Sequence, residues 1–235
     1  MSSSTAKRRF WQGFRDGLPF VVIVAPFAAV FGVLATEAGL SVVETMGFSV
    51  LVIAGASQIA ALQLMVDNAP TIIILATALA VNLRMAMYSA SLVPHLGAAP
   101  FWTRAVIAYL TVDQSYVMAV SRYDADPSMS TSEKIRYFFG VIAPVATTWY
   151  VFTLVGALLG QQIPDGWALD FAVPIAFLAI TAPMLKTVAH LAAALTSIVL
   201  ALMLAWLPPG VGLLIAGLVA MIIGAEVERR MERAP

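Results

Sequence analysis

Arg84 stands inside the apolar run Val81-Asn82-Leu83-Arg84-Met85-Ala86-Met87-Tyr88. At the centre of a membrane helix an arginine costs about 2.5–3.5 kcal/mol on insertion scales. A chain that keeps one there needs a partner for it, a water-filled cavity, or both. Asp113 is the acid at comparable depth in a neighbouring apolar run. Asn82, Arg84 and Asp113 therefore read as the polar heart of a transporter. The guanidinium fork matches a carboxylate bidentately. Asp113 can hold an ammonium or act as a proton-coupling acid. The alternative is an ion pair that only sets helix register.

Gly55-Ala56-Ser57-Gln58 sits near mid-depth of the preceding run. An amide such as Gln58 binds an ammonium or a carboxylate, or simply bonds a neighbouring helix. Small neighbours, Ser57 among them, admit close approach of another backbone. Tyr88, Tyr109, Thr111 and Tyr116 read as amphipathic packing neighbours. His190, near the start of a late run, keeps a proton-coupling role open, because histidine as a side-chain type is suited to carry protons. His95 reads as part of a short external loop, and Glu37 and Glu44 as solvated.

The elements that hold these residues follow from hydropathy. Of 235 residues, 61% are hydrophobic and 11% charged, with mean hydropathy +0.91. Soluble domains carry about 25% charged residues. The class is an all-α polytopic membrane bundle. Zero net charge argues against a nucleic-acid partner, and the absence of cysteine excludes disulfides, thiolate metal sites and thiol nucleophiles. No cofactor motif is present. A spanning helix needs about 20 apolar residues. Eight runs qualify: 18–38, 46–66, 69–92, 101–121, 137–160, 167–185, 188–207 and 210–225. Residues 1–17 form a basic cytoplasmic lead, 18–225 one transmembrane domain, and 226–235 a charged cytoplasmic tail. With both termini cytoplasmic and strict alternation, nearly every Lys and Arg falls inside. Arg104 is then the one loop cation outside.

Prolines at depth mark candidate breaks: Pro19 and Pro26 in the first run, Pro144 in the fifth, Pro174 and Pro183 in the sixth. Each removes a backbone donor, and in lipid the freed groups must find neighbours or a cavity. Broken helices line substrate sites in many transporters. Val24-Ala25-Pro26 faintly echoes Ile142-Ala143-Pro144, a hint of a parallel repeat.

Phe14-Arg15-Asp16-Gly17 with Pro19, Gly55-Ala56-Ser57-Gln58, Asn82-Leu83-Arg84 with Tyr88-Ser89, and Thr111-Val112-Asp113 occur in order. In these motifs the chain resembles the AzlC family of branched-chain amino acid permeases. The family pattern usually has a histidine after the arginine and an acid after the aspartate; here Met85 and Gln114 stand there. The resemblance implies an inner-membrane exporter of leucine, isoleucine, valine and sometimes methionine, acting with a small AzlD-type membrane subunit. Two other classes stand beside the transporter. An intramembrane serine protease would pair Ser57 with His190, whose depths differ too much for the contact of about 3 Å that such a pair needs. A channel or non-transporting assembly subunit would tolerate Asp113→Asn.

Overall fold

A computed structural model describes residues 3–160, 185, 187–208 and 211–233. Every regular element among them is helical. In chain order they are α1 (Ser3–Gly17), α2 (Val21–Glu37), α3 (Val42–Leu51), α4 (Gly55–Val66), α5 (Thr71–Ser91), α6 (Val93–Leu96), α7 (Phe101–Tyr109), α8 (Asp113–Ala125), α9 (Thr131–Gly160), α10 (Val188–Met203) and α11 (Val211–Arg233). Among the described residues, four helical stretches are long and apolar enough to cross a membrane: Lys7–Glu37, Thr71–Ser91, Thr131–Gly160 and Val211–Met231. The sixth run, with Pro174 and Pro183, lies outside the described residues.

The chain divides into two compact units, one of residues 1–58 and 81–163, the other of 59–80 and 164–235. In the second, α10 and α11 pack as an antiparallel pair, with Gly224 against Ala193 near the start of α10 and Gly212 against Leu204 at its end. The tail expected from residue 226 onward continues the helix of α11 to Arg233.

The first unit is built on α9. Its start is fixed by a reciprocal cap: Ser130 N–H donates to Glu133 Oε2 (3.0 Å) and Glu133 N–H to Ser130 Oγ (3.4 Å). α1 and α2 lie along it in the same direction, since contact partners rise together. Arg9 meets Glu133, Gly13 meets Tyr137, Gly17 meets Val141, Ala29 meets Gly156 and Val33 meets Gly160. A Cβ at Gly13, Gly17 or Gly32 would collide with an α9 carbonyl, and one at Gly140 or Gly156 with a carbonyl of α1 or α2. Two of these pairs have GxxxG spacing, Gly13 with Gly17 and Gly156 with Gly160. Where lipid is as apolar as leucine, close backbone approach rather than hydrophobicity drives helix association.

The expected proline breaks resolve differently. Pro19 lies in the 3-10 turn Leu18–Phe20 that joins α1 to α2. Pro26 and Pro144 sit inside continuous helices and break neither. The breaks fall instead at 52–54 and 110–112, where there is no proline. The second and fourth runs, 46–66 and 101–121, are thus each two short helices.

At 110–112 the chain reverses. α5 and α8 run the same way: Arg84 pairs with Asp113, Tyr88 stacks on Tyr116, and His95 reaches Asp124. A straight rod from Phe101 to Asp124 would be about 35 Å long at 1.5 Å per residue. Phe101 is only six residues from His95, a tether of at most about 21 Å. α7 and α8 therefore form a hairpin whose two feet share one end of the unit. That end also holds Arg9, Asp126 and Lys134. The expected external loop around His95 is corrected: His95 Nδ1 lies 3.2 Å from Lys134 Nζ.

Candidate functional site

The hairpin apex is where the charges meet. α7 ends at Tyr109, and residues 110–112 are non-helical. Thr111 Oγ1 donates to the Ile107 carbonyl at 2.7 Å. Val112 N–H donates to Ser115 Oγ at 2.9 Å, and the Ser115 hydroxyl lies 3.0 Å from the Val112 carbonyl. Ser115 thereby satisfies groups that the start of a helix leaves without partners. Asp113 follows as the first residue of α8, where a carboxylate is favoured by the helix dipole.

Arg84 Nη1 lies 3.1 Å from Asp113 Oδ2, with the two side chains 30% and 39% exposed. The pair leaves valence over. Arg84 Nε, Asp113 Oδ1 and Asn82 Oδ1 are buried without a partner. The Tyr88 and Tyr116 rings stack at 4.2 Å beside the pair, and Tyr116 donates to Ser91 Oγ at 3.0 Å. The sequence argument reached Arg84 and Asp113 through antiparallel helices; the structure brings them together on parallel ones.

The second break holds Gln58 and Ser57. Both are fully buried. Gln58 Nε2 donates to Ser49 Oγ at 3.2 Å across the break, and Gln58 Oε1 has no partner. On an unbroken helix these two residues would stand about 13 Å apart along the axis. Gly55, which opens α4, is pressed against the rings of Phe27 and Trp149, so a side chain there would collide. The Ser57 hydroxyl donates to the Ala54 carbonyl at 3.0 Å. His190 lies in the first turn of α10 in the other unit, its N–H donating to Thr187 Oγ1.

Sequence reasoning missed two residues that link the breaks. Tyr109, at the end of α7, donates to the Val50 carbonyl at the end of α3. The Tyr150 hydroxyl of α9 lies 3.0 Å from that of Tyr109. Both breaks therefore meet the same stretch of α9, Trp149-Tyr150. Sequence offers no signal for this: a tyrosine in an apolar run reads as packing. Beside the hairpin a cavity of about 350 Å³ lies between α5, α6 and α7. Leu92, Leu96, Ile107 and Ala108 give it apolar walls; Arg104 and Thr111 also line it.

The AzlC family profile, "AzlC protein", matches residues 19–163. The chain is 26% identical over 182 residues to "Inner membrane protein YgaZ" of Escherichia coli (strain K12), covering 72% of this chain and 70% of that one. It is 28% identical over 197 residues to an "Uncharacterized membrane protein" of Archaeoglobus fulgidus, covering 79% and 80%. No solved structure matches. The matched family segment contains both helix breaks and the Arg84–Asp113 pair, and with the candidate spans and the inner-membrane homologue it leads to one statement: the chain is a membrane protein of the AzlC family, a family of transporters.

Proposed function

We propose that this chain is a secondary transporter exporting small amino acids, with leucine, isoleucine, valine and methionine as its substrate class. The observation that carries the reading is the Arg84–Asp113 pair at the hairpin apex, with unpartnered polar atoms on both residues. Intramembrane charges mark substrate and ion pathways. Arg84 takes the substrate carboxylate and Asp113 the ammonium, so the zwitterion replaces the internal pair with two of its own. Asn82 and Gln58 supply the remaining polar contacts. The apolar cavity beside Thr111 suits an aliphatic side chain, and its Arg104 suits a carboxylate arriving from the basic end. Asp113 is also the coupling group, by competition: it holds either the substrate ammonium or a proton, never both. His190 is a second candidate for that proton.

The end that carries Arg9, Arg122 and Lys134 is cytoplasmic, as the bias of Lys and Arg requires. Because α7 and α8 re-enter from that end, Arg104 ceases to be an exception. A small AzlD-type membrane subunit completes the transporter.

The test is efflux of labelled leucine, valine and methionine from cells expressing the chain with and without an AzlD-type subunit. Asp113→Asn and Arg84→Gln variants that reach the membrane are measured alongside. Saturable efflux lost in both variants supports the reading. Efflux unchanged in both makes the pair architectural, and no efflux with the partner present removes the substrate assignment.

A further inference from the structure

α1 differs from every later helix in holding four cations within its 15 residues: Lys7, Arg8, Arg9 and Arg15. Beside it, reaching to Arg122 near the end of α8, is a cleft of about 910 Å³. Five cations line it against a single acid, Asp16. Arg9 is committed to Asp126 (2.7 Å) and Glu133 (3.5 Å), and Asp16 accepts from the Tyr137 hydroxyl (2.7 Å). Lys7, Arg8, Arg15 and Arg122 make no ion pair among the described residues, and Arg122 Nε is buried with no partner. Positive charges gathered around one cavity repel each other, and a buried guanidinium N–H without an acceptor is costly. Both conditions are relieved by an oxyanion that carries negative charge and several acceptor oxygens.

The position in the membrane selects the kind of anion. The cleft lies where the chain passes from the basic α1 to the apolar α2, one turn before Leu18-Pro19-Phe20. Trp11, half exposed, lines it and packs edge-on against Phe10 and Phe14. Tryptophan beside basic residues is the composition of the headgroup layer. Basic pockets at the cytoplasmic ends of helices hold anionic headgroups.

We propose that the cleft between α1 and α8 binds the phosphate of an anionic phospholipid headgroup. Arg122 holds the phosphate from α8, Lys7, Arg8 and Arg15 hold it from α1, and Trp11 lies along the acyl–headgroup boundary. The lipid fastens the returning arm of the hairpin to α1. This inference rests on no assignment of substrate.

The full chain is purified in a neutral detergent and offered phosphatidylglycerol, phosphatidylcholine or inorganic phosphate; retained lipid and thermal midpoint are measured. Phosphatidylglycerol alone is expected to be retained and to raise the midpoint, less so at high salt. Arg122→Gln, and separately the exposed pair Lys7→Gln with Arg8→Gln, are expected to cut retention at least threefold. Arg230→Gln, on α11, is expected to leave it unchanged. Equal retention in both cleft variants overturns the site. An equal midpoint shift from inorganic phosphate overturns the lipid assignment in favour of a free anion, and equal retention of phosphatidylcholine overturns the role of charge.

Discussion

Removing both partners of the Arg84–Asp113 pair should cost less than the sum of removing each alone. At a charge separation of about 4 Å and an effective dielectric of about 20, the Coulomb attraction is about 4 kcal/mol. The side chains are 30% and 39% exposed, so screening takes a large share of it. Asp113→Asn leaves Arg84 charged in an apolar run, where a lone arginine costs about 2.5–3.5 kcal/mol at mid-depth and less towards the ends. Arg84 Nε, already without a partner, has none to gain. A destabilisation of about 2 kcal/mol for Asp113→Asn follows. Arg84→Gln should cost a similar amount, and the double variant clearly less than their sum. The coupling expected from a double-mutant cycle is about 1–3 kcal/mol. Chemical denaturation of the four purified proteins in one detergent measures it. A coupling within about 0.5 kcal/mol of zero, as for independent sites, would refute the claim that the two side chains hold each other in the folded protein.

Other perturbations probe the framework. Gly156→Ala should destabilise by about 1–3 kcal/mol, because its Cβ meets the Ala29 carbonyl. Gly217→Ala, in open space on α11, should be neutral or stabilising by up to about 1 kcal/mol, and thermal melts of the two should move apart. Ser115→Ala removes the acceptor of the Val112 N–H and should cost about 1–2 kcal/mol in the same melts. The Asp126 carboxyl is held below its ordinary value of 3.8 by hydrogen bonds from the Ser128 hydroxyl and the Arg9 guanidinium. A carboxyl lowered in the folded state contributes stability that is full above its unfolded pKa and lost as the pH falls through its folded one. The link between α1 and the loop before α9 should therefore hold from neutral pH down to about 4, and weaken below. Asp126→Asn should flatten that acid limb in melts taken from pH 6 to pH 3.

Much of this architecture is legible in the sequence because hydropathy reports it directly. The long runs that became α2, α5 and α9 are found within a few residues, and Arg84 points to Asp113 because no other acid lies at that depth. What hydropathy cannot see is direction. A run such as 101–121 has the same composition whether it crosses the membrane or turns back at its midpoint. The reversal does leave a local mark: Thr111-Val112-Asp113-Gln114-Ser115 is a helix-start pattern in the middle of an apolar run. Arg104, stranded on the wrong side by strict alternation, was a second mark. The prolines pointed elsewhere, since membrane helices tolerate proline and Pro26 and Pro144 sit inside unbroken ones. The close seam between α1–α2 and α9 was also written in the chain, as the GxxxG pairs Gly13–Gly17 and Gly156–Gly160. The contact of Tyr109 with Val50 was not, because it depends on two breaks meeting in space.

The central claim is that α7 and α8 form a hairpin entering from one side, with Asp113 at its apex. The chain has no cysteine, so single cysteines can be placed at will. Ala98, before α7, and Ser128, after α8, are both exposed. Ala98→Cys and Ser128→Cys are made separately, and whole cells are treated with a membrane-impermeant maleimide before and after permeabilisation. The hairpin predicts the same result for both positions: protection in intact cells and labelling after permeabilisation. Labelling of Ala98→Cys in intact cells while Ser128→Cys stays protected would make α7 and α8 a single crossing and contradict the account.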